Sequence, residues 1–122
     1  MHTLSQLKSG KLSGTQHLKL SENLTTFPEE IFSLADSLEI LDLSGNQLTS
    51  LPDELAKFQK LRIIFASNNQ FETLPEVLGK CPNLEMVGFK ANKISNVPAN
   101  ALPEKLRWLI LTDNCVETLP DS

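Results

Sequence analysis

A chain of 122 residues, 40% of them hydrophobic, holds enough apolar material for one domain around one core. No apolar run approaches the roughly 18 residues that cross a bilayer, and residues 1–14 lack the apolar stretch of a signal peptide. A net charge of −4, a pI near 5.1 and the absence of a basic cluster argue against nucleic acid or an anionic membrane as partner.

In chain order, Thr3 to Ser9 predicts a short helix whose Leu4 and Leu7 cap the core, with Gly10 to stop it. Residues 1–14 are therefore read as an N-terminal capping segment. Residues 15–122 repeat. Four runs align: Leu38 to Asn46 (LEILDLSGN), Leu61 to Asn69 (LRIIFASNN), Leu84 to Asn92 (LEMVGFKAN) and Leu106 to Asn114 (LRWLILTDN). A degenerate first copy runs from Thr15 to Asn23. The starts at 15, 38, 61, 84 and 106 set a period of 23 residues with one copy of 22, and the last copy is incomplete.

Within each copy the period-2 alternation predicts a short strand. Leu18 and Leu20, Leu41 and Leu43, Ile64 and Ala66, Val87 and Phe89, and Leu109 and Leu111 are expected to point inward. The asparagine closing each run is expected to bond loop backbone groups in its own and the neighbouring copy, because such groups cost about 1–3 kcal/mol each if left unpaired. An apolar residue and a proline follow, at Phe27, Leu51, Leu74, Val97 and Leu119, and predict the turn into a short helical or 3₁₀ segment. No single copy can bury its own aliphatic side chains, each worth roughly 1.5–3 kcal/mol, so the copies must stack. Ala66 beside Phe89 reads as a small–large compensation between adjacent copies. At the far end, Leu106, Leu109, Leu111, Val116 and Leu119 are expected to lie edge-on, which invites self-association or cover by more chain.

Signs of catalysis are absent. His2 and His17 have no partner set for a metal, and Gly10 to Thr15 fails the order of a phosphate loop and reads as a turn. Cys81 takes the slot that Phe58 holds one copy earlier and reads as core, while Cys115 is expected to be exposed. The two should not meet, which favours a reducing, cytoplasmic setting. Carboxylates such as Glu29 and Glu30 suit helix starts. No cofactor or catalytic residue is expected.

The informative residues point outward from the strands. They read His17 and Lys19, Ile40 and Asp42, Ile63 and Phe65, Met86 and Gly88, and Trp108 and Ile110, with Glu39, Arg62, Glu85 and Arg107 alongside. Ile40, Ile63, Phe65, Met86, Trp108 and Ile110 thus form one apolar patch on a wet face, with Arg62 and Arg107 beside it. Aromatics, Met and Arg are enriched where proteins meet, so these eight residues are the candidate partner-binding site. Gly88 is expected to leave a dip between Phe65 and Ile110.

The pattern L-x-x-L-x-L-x-x-N-x-L at this period resembles the leucine-rich repeat family. That resemblance implies an α/β fold: a right-handed solenoid with a parallel β-sheet on the concave face and short helical or 3₁₀ segments on the convex face. The heptads Asn46 to Pro52 (NQLTSLP) and Asn69 to Pro75 (NQFETLP) are similar to those of the cytoplasmic, Ras-group class. Cys81 to Asn92 with Leu106 to Asn114 is similar to the N-terminal repeat region of bacterial leucine-rich repeat proteins that carry a protein-kinase-like domain. Two functions follow as expectations. One is a protein-interaction module that binds a protein or peptide on its concave sheet. The other is the regulatory arm of such an enzyme, with catalysis in a downstream domain.

Overall fold

The computed structural model describes residues 3–116. Its first element is the helix α1, Leu4–Lys8, capped by reciprocal bonds between Thr3 and Gln6. Gly10 ends the segment at φ +81°, a left-handed conformation natural to glycine. Leu7 is buried and Leu4 packs against the core, as capping requires.

Five three-residue strands follow: β1 His17–Lys19, β2 Ile40–Asp42, β3 Ile63–Phe65, β4 Met86–Gly88 and β5 Trp108–Ile110. They form one parallel sheet in sequence order. Each strand joins the next through a 3₁₀ turn: Glu29–Leu34, Asp53–Lys57, Glu76–Lys80 and Ala99–Ala101. Each turn starts directly after a proline, whose fixed φ sets the entry and whose missing N–H loses nothing at a helix start. Glu29 and Glu30, Asp53 and Glu54, and Glu76 lie in the first turns, where carboxylates complement the exposed N–H groups.

The core is the stack of inward positions. Leu18, Leu41, Ile64 and Val87 are fully buried, as are Leu20, Leu43, Ala66 and Phe89 one step on. Phe89 meets Phe71 edge to face at 5.0 Å, so these two rings fill the coil next to the small Ala66. On the convex side Phe27, Phe32 and Phe58 form a chain of rings at 5.4 and 5.8 Å. Leu109 and Leu111 are only half-buried where their counterparts in β1–β4 are sealed, in line with an edge-on position. Leu119, His2 and the residues after 116 lie outside the described residues.

Asparagines tie the coils together. Asn69 is typical: its amide donates to the carbonyls of Leu43, Ala66 and Ser67, and its Oδ1 accepts from the Leu48 N–H at 3.0 Å. Asn46, Asn92 and Asn114 repeat this pattern, each joining its own coil to the one before. Among the described residues no buried side-chain N or O lacks a partner.

The first copy corrects the sequence alignment. Glu22 and Leu24 donate to Asn46 Oδ1 just as Asn92 and Ile94 donate to Asn114 Oδ1, so Glu22, not Asn23, stands in the ladder slot. Asn23 is exposed at φ +56°. The cause is a loop one residue shorter between Leu20 and the slot. Glu22 instead accepts the Leu4 N–H through its Oε2, which fastens the capping helix to the first coil.

Candidate interaction surface

The sheet register sorts the outward side chains into two rows. His17, Ile40, Ile63, Met86 and Trp108 are successive register partners, and so are Lys19, Asp42, Phe65, Gly88 and Ile110. Neighbouring strands lie about 4.8 Å apart, so side chains along a row touch. The six apolar residues named from the sequence therefore share one surface, confined to β2–β5, while β1 contributes only His17 and Lys19. They are not equally open. Ile40, Ile63, Phe65 and Met86 are half-buried by one another, whereas Trp108 is 54% exposed and Ile110 36%.

Gly88 is buried, and the expected dip is filled. A Cβ placed on Gly88 would sit 2.8 Å from Phe65 Cδ1, so the Phe65 ring lies over the glycine backbone. Glycine permits that approach because it has no side chain. Its effect is to let Phe65 lean onto β4 rather than to open a recess.

A third row precedes the strands. Arg62 lies 3.6 Å from Glu39 and donates from Nε to Glu85 at 3.3 Å, and Arg107 reaches the same Glu85 at 3.7 Å. Glu39, Arg62, Glu85 and Arg107 thus form a ladder of alternating charge along one edge of the apolar patch. The two arginines named from the sequence are both on it; among the described residues Arg62 is shared between two carboxylates and Arg107 pairs with one. Exposed pairs of this kind are worth about 0–1 kcal/mol each, so a ligand can compete for them. Beyond the ladder, Lys105 donates to Asn83 Oδ1 at 2.8 Å, and Lys60 lines the same shallow cleft of about 280 Å³. Sequence reading missed Lys60, Asn83 and Lys105. The signal was present, since they recur at the repeat period just before each ladder residue.

The remaining candidates fall away from this face. Cys81 is buried, its thiol facing the carbonyls of Val77 and Leu55, and burial pushes its pKa up to about 11. Cys115 is exposed. A native sample at pH 8 is therefore expected to release one equivalent of chromophore with a thiol reagent and two after denaturation. Two fast equivalents in the native state would contradict the buried site. Because the folded value exceeds the unfolded one, the protonated thiol supports the fold fully below pH 9, and that support is lost as pH rises towards 11. Among the described residues no group of three His, Cys, Asp or Glu side chains could hold a metal ion, and no helix is long and apolar enough to cross a membrane.

Comparison with known proteins agrees with this geometry. Residues 36–76 match the family model for leucine-rich repeats in two copies. A solved structure of a leucine-rich repeat protein of Leptospira interrogans is similar, with a TM-score of 0.76 and 29% identity over 91% of this chain. The match covers 29% of that protein's chain, so the present sequence spans less than a third of its length. No curated protein matches. Stacked parallel coils, buried asparagines at the repeat period and these two similarities make the fold that of a leucine-rich repeat protein.

Proposed function

We propose that this chain is a recognition module that binds a protein or peptide across its concave sheet, at the patch formed by Ile40, Ile63, Phe65, Met86, Trp108 and Ile110. Leucine-rich repeat domains generally mediate protein–protein interaction and are typically not catalytic. One observation carries the reading: the most exposed large apolar side chains of the described residues, Trp108 and Ile110, sit side by side on β5 at the end of a continuous apolar surface. Substituting the exposed Trp108→Asp is expected to abolish partner capture while circular dichroism and the unfolding midpoint stay near those of the parent, and the half-buried Phe65→Asp to abolish it with a lower midpoint but a folded spectrum. Capture retained by both folded variants would refute the proposal. Two free thiols, one of them exposed, support a reducing, cytoplasmic setting.

Two narrower readings use the same coils. The resemblance of Cys81 to Asn92 and of Leu106 to Asn114 to bacterial kinase-like proteins supports a regulatory arm that docks on an enzyme domain of the same polypeptide. Its mark would be altered kinase activity of the longer protein on Trp108→Asp. The half-buried Leu109 and Leu111 support self-association, which sedimentation would detect as dimers that grow with concentration.

A further inference from the structure

We infer that Gly88 is a positioning residue of this surface: it touches no partner itself and acts by giving the Phe65 ring room to lean towards β5. The inference rests on the concave-sheet reading and adds to it how the patch gets its shape. Gly88 is buried in an interior strand, so a partner does not reach it. Its φ lies outside the left-handed region, so the backbone there does not demand glycine. A methyl group at this position would meet Phe65 Cδ1 at 2.8 Å and Cε1 at 3.2 Å, while the Ile64 carbonyl oxygen stands at an ordinary 3.9 Å. The ring is thus what a side chain here would disturb. Glycine weakens a strand, having nothing to pack and more backbone freedom to lose, and here the space it leaves is taken by the ring.

The order of the row shows what the space does. Its members are Lys19, Asp42, Phe65, Gly88 and Ile110. On one side of Phe65 stands Asp42, whose carboxylate accepts the Ser44 N–H at 2.9 Å; on the other is the bare backbone of β4. Leaning onto Gly88 carries the ring away from the carboxylate and part of the way to Ile110, two strands on and roughly 10 Å distant. The ring therefore continues across β4 in this row the apolar surface that Ile63, Met86 and Trp108 form in the other. Relieving a 2.8 Å contact needs a displacement of roughly 1 Å, enough to forfeit much of the attraction between packed surfaces. A methyl group hidden beneath the patch would thus weaken recognition through Phe65 alone.

The test is a double-mutant cycle. Random peptides displayed on phage are selected on the intact chain, and a recovered peptide is titrated against each variant by calorimetry. Gly88→Ala is expected to fold, since the atoms it displaces end a flexible side chain, and to weaken the peptide about fivefold or more. In a Phe65→Leu background, which keeps an apolar contact but has no ring, the same substitution is expected to change affinity by less than about twofold. In the parent chain, NOEs between the Gly88 α-protons and the Phe65 δ and ε protons are expected with and without the peptide, a measurement that stands even if Gly88→Ala does not fold. Unchanged affinity on Gly88→Ala, an equal loss in both backgrounds, or absence of those NOEs would overturn the positioning role. Concave recognition would still stand if Trp108→Asp abolishes binding of the same peptide. Peptides that bind Trp108→Asp as well as the parent, or a selection that recovers nothing, would overturn both.

Discussion

Replacing Asn69 with alanine is expected to cost about 3–5 kcal/mol, a large part of the roughly 5–15 kcal/mol that holds a domain of this size together. The Leu48 N–H is buried and has Asn69 Oδ1 as its acceptor, so the variant leaves a donor with no partner and no access to water. The carbonyls of Leu43 and Ala66 suffer less, because Asn46 and Asn92 donate to them as well. Losing one buried acceptor costs about 1–3 kcal/mol, and the three lost donations, two of them to carbonyls that keep another donor, together add about 2. Asn23→Ala is the control. Asn23 is exposed and outside the ladder, so its substitution loses only the ease with which asparagine holds φ +56° and is expected to cost about 1 kcal/mol, well below Asn69→Ala. Urea unfolding of both variants checks the pair: equal losses would mean that the asparagine period, not the buried hydrogen bonding, matters. Asn69→Asp should not rescue, because a carboxylate accepts from Leu48 but cannot donate to three carbonyls.

Gly79→Ala is expected to destabilise by about 1–3 kcal/mol, opposite in sign to what helix propensity alone would suggest. Gly79 lies in the 3₁₀ turn Glu76–Lys80, at a φ that any residue can adopt, and alanine there would ordinarily stiffen the turn. Yet a Cβ at this position would come 1.8 Å from the carbonyl oxygen of Asn100, in the following 3₁₀ turn. That neighbour is backbone, so it cannot swing aside as a side chain would, and two convex turns must separate by more than 1 Å. The separation loosens the packing around Leu78 and Ala101, both fully buried. A shift of the thermal midpoint upward, rather than downward by several degrees, would show that the coils can slide apart without loss.

These two sites mark where sequence reading was sufficient and where it was not. The strand faces were legible though not the strand ends, because a near-constant spacing leaves one register that buries Leu41, Ile64 and Val87 together. The bonding role of Asn46, Asn69, Asn92 and Asn114 was legible for the same reason: an amide recurring at the repeat period has backbone groups at fixed offsets to satisfy. Asn23 misled, since identity at a spacing says nothing of a deletion two residues earlier; only the hydrogen bonds of Asn46 reveal that Glu22 took the slot. Gly88 misled in another way. A missing side chain implies space, but the space belonged to Phe65 from the adjacent coil.

By itself the sequence determined the repeat, the strand faces, the set of outward apolar residues and the absence of recognisable catalytic motifs. All of these depend on local periodicity, in which a residue's fate follows from its offset within the copy. Contacts between copies were decided by the tertiary structure: the shared Glu85 between Arg62 and Arg107, the closeness of Gly79 to Asn100, the Phe65 ring over Gly88, and Trp108 as the most open apolar side chain. The period says which residues lie in line. How far apart they stand, and which way long side chains lean across the gap, follows only once the coils are stacked.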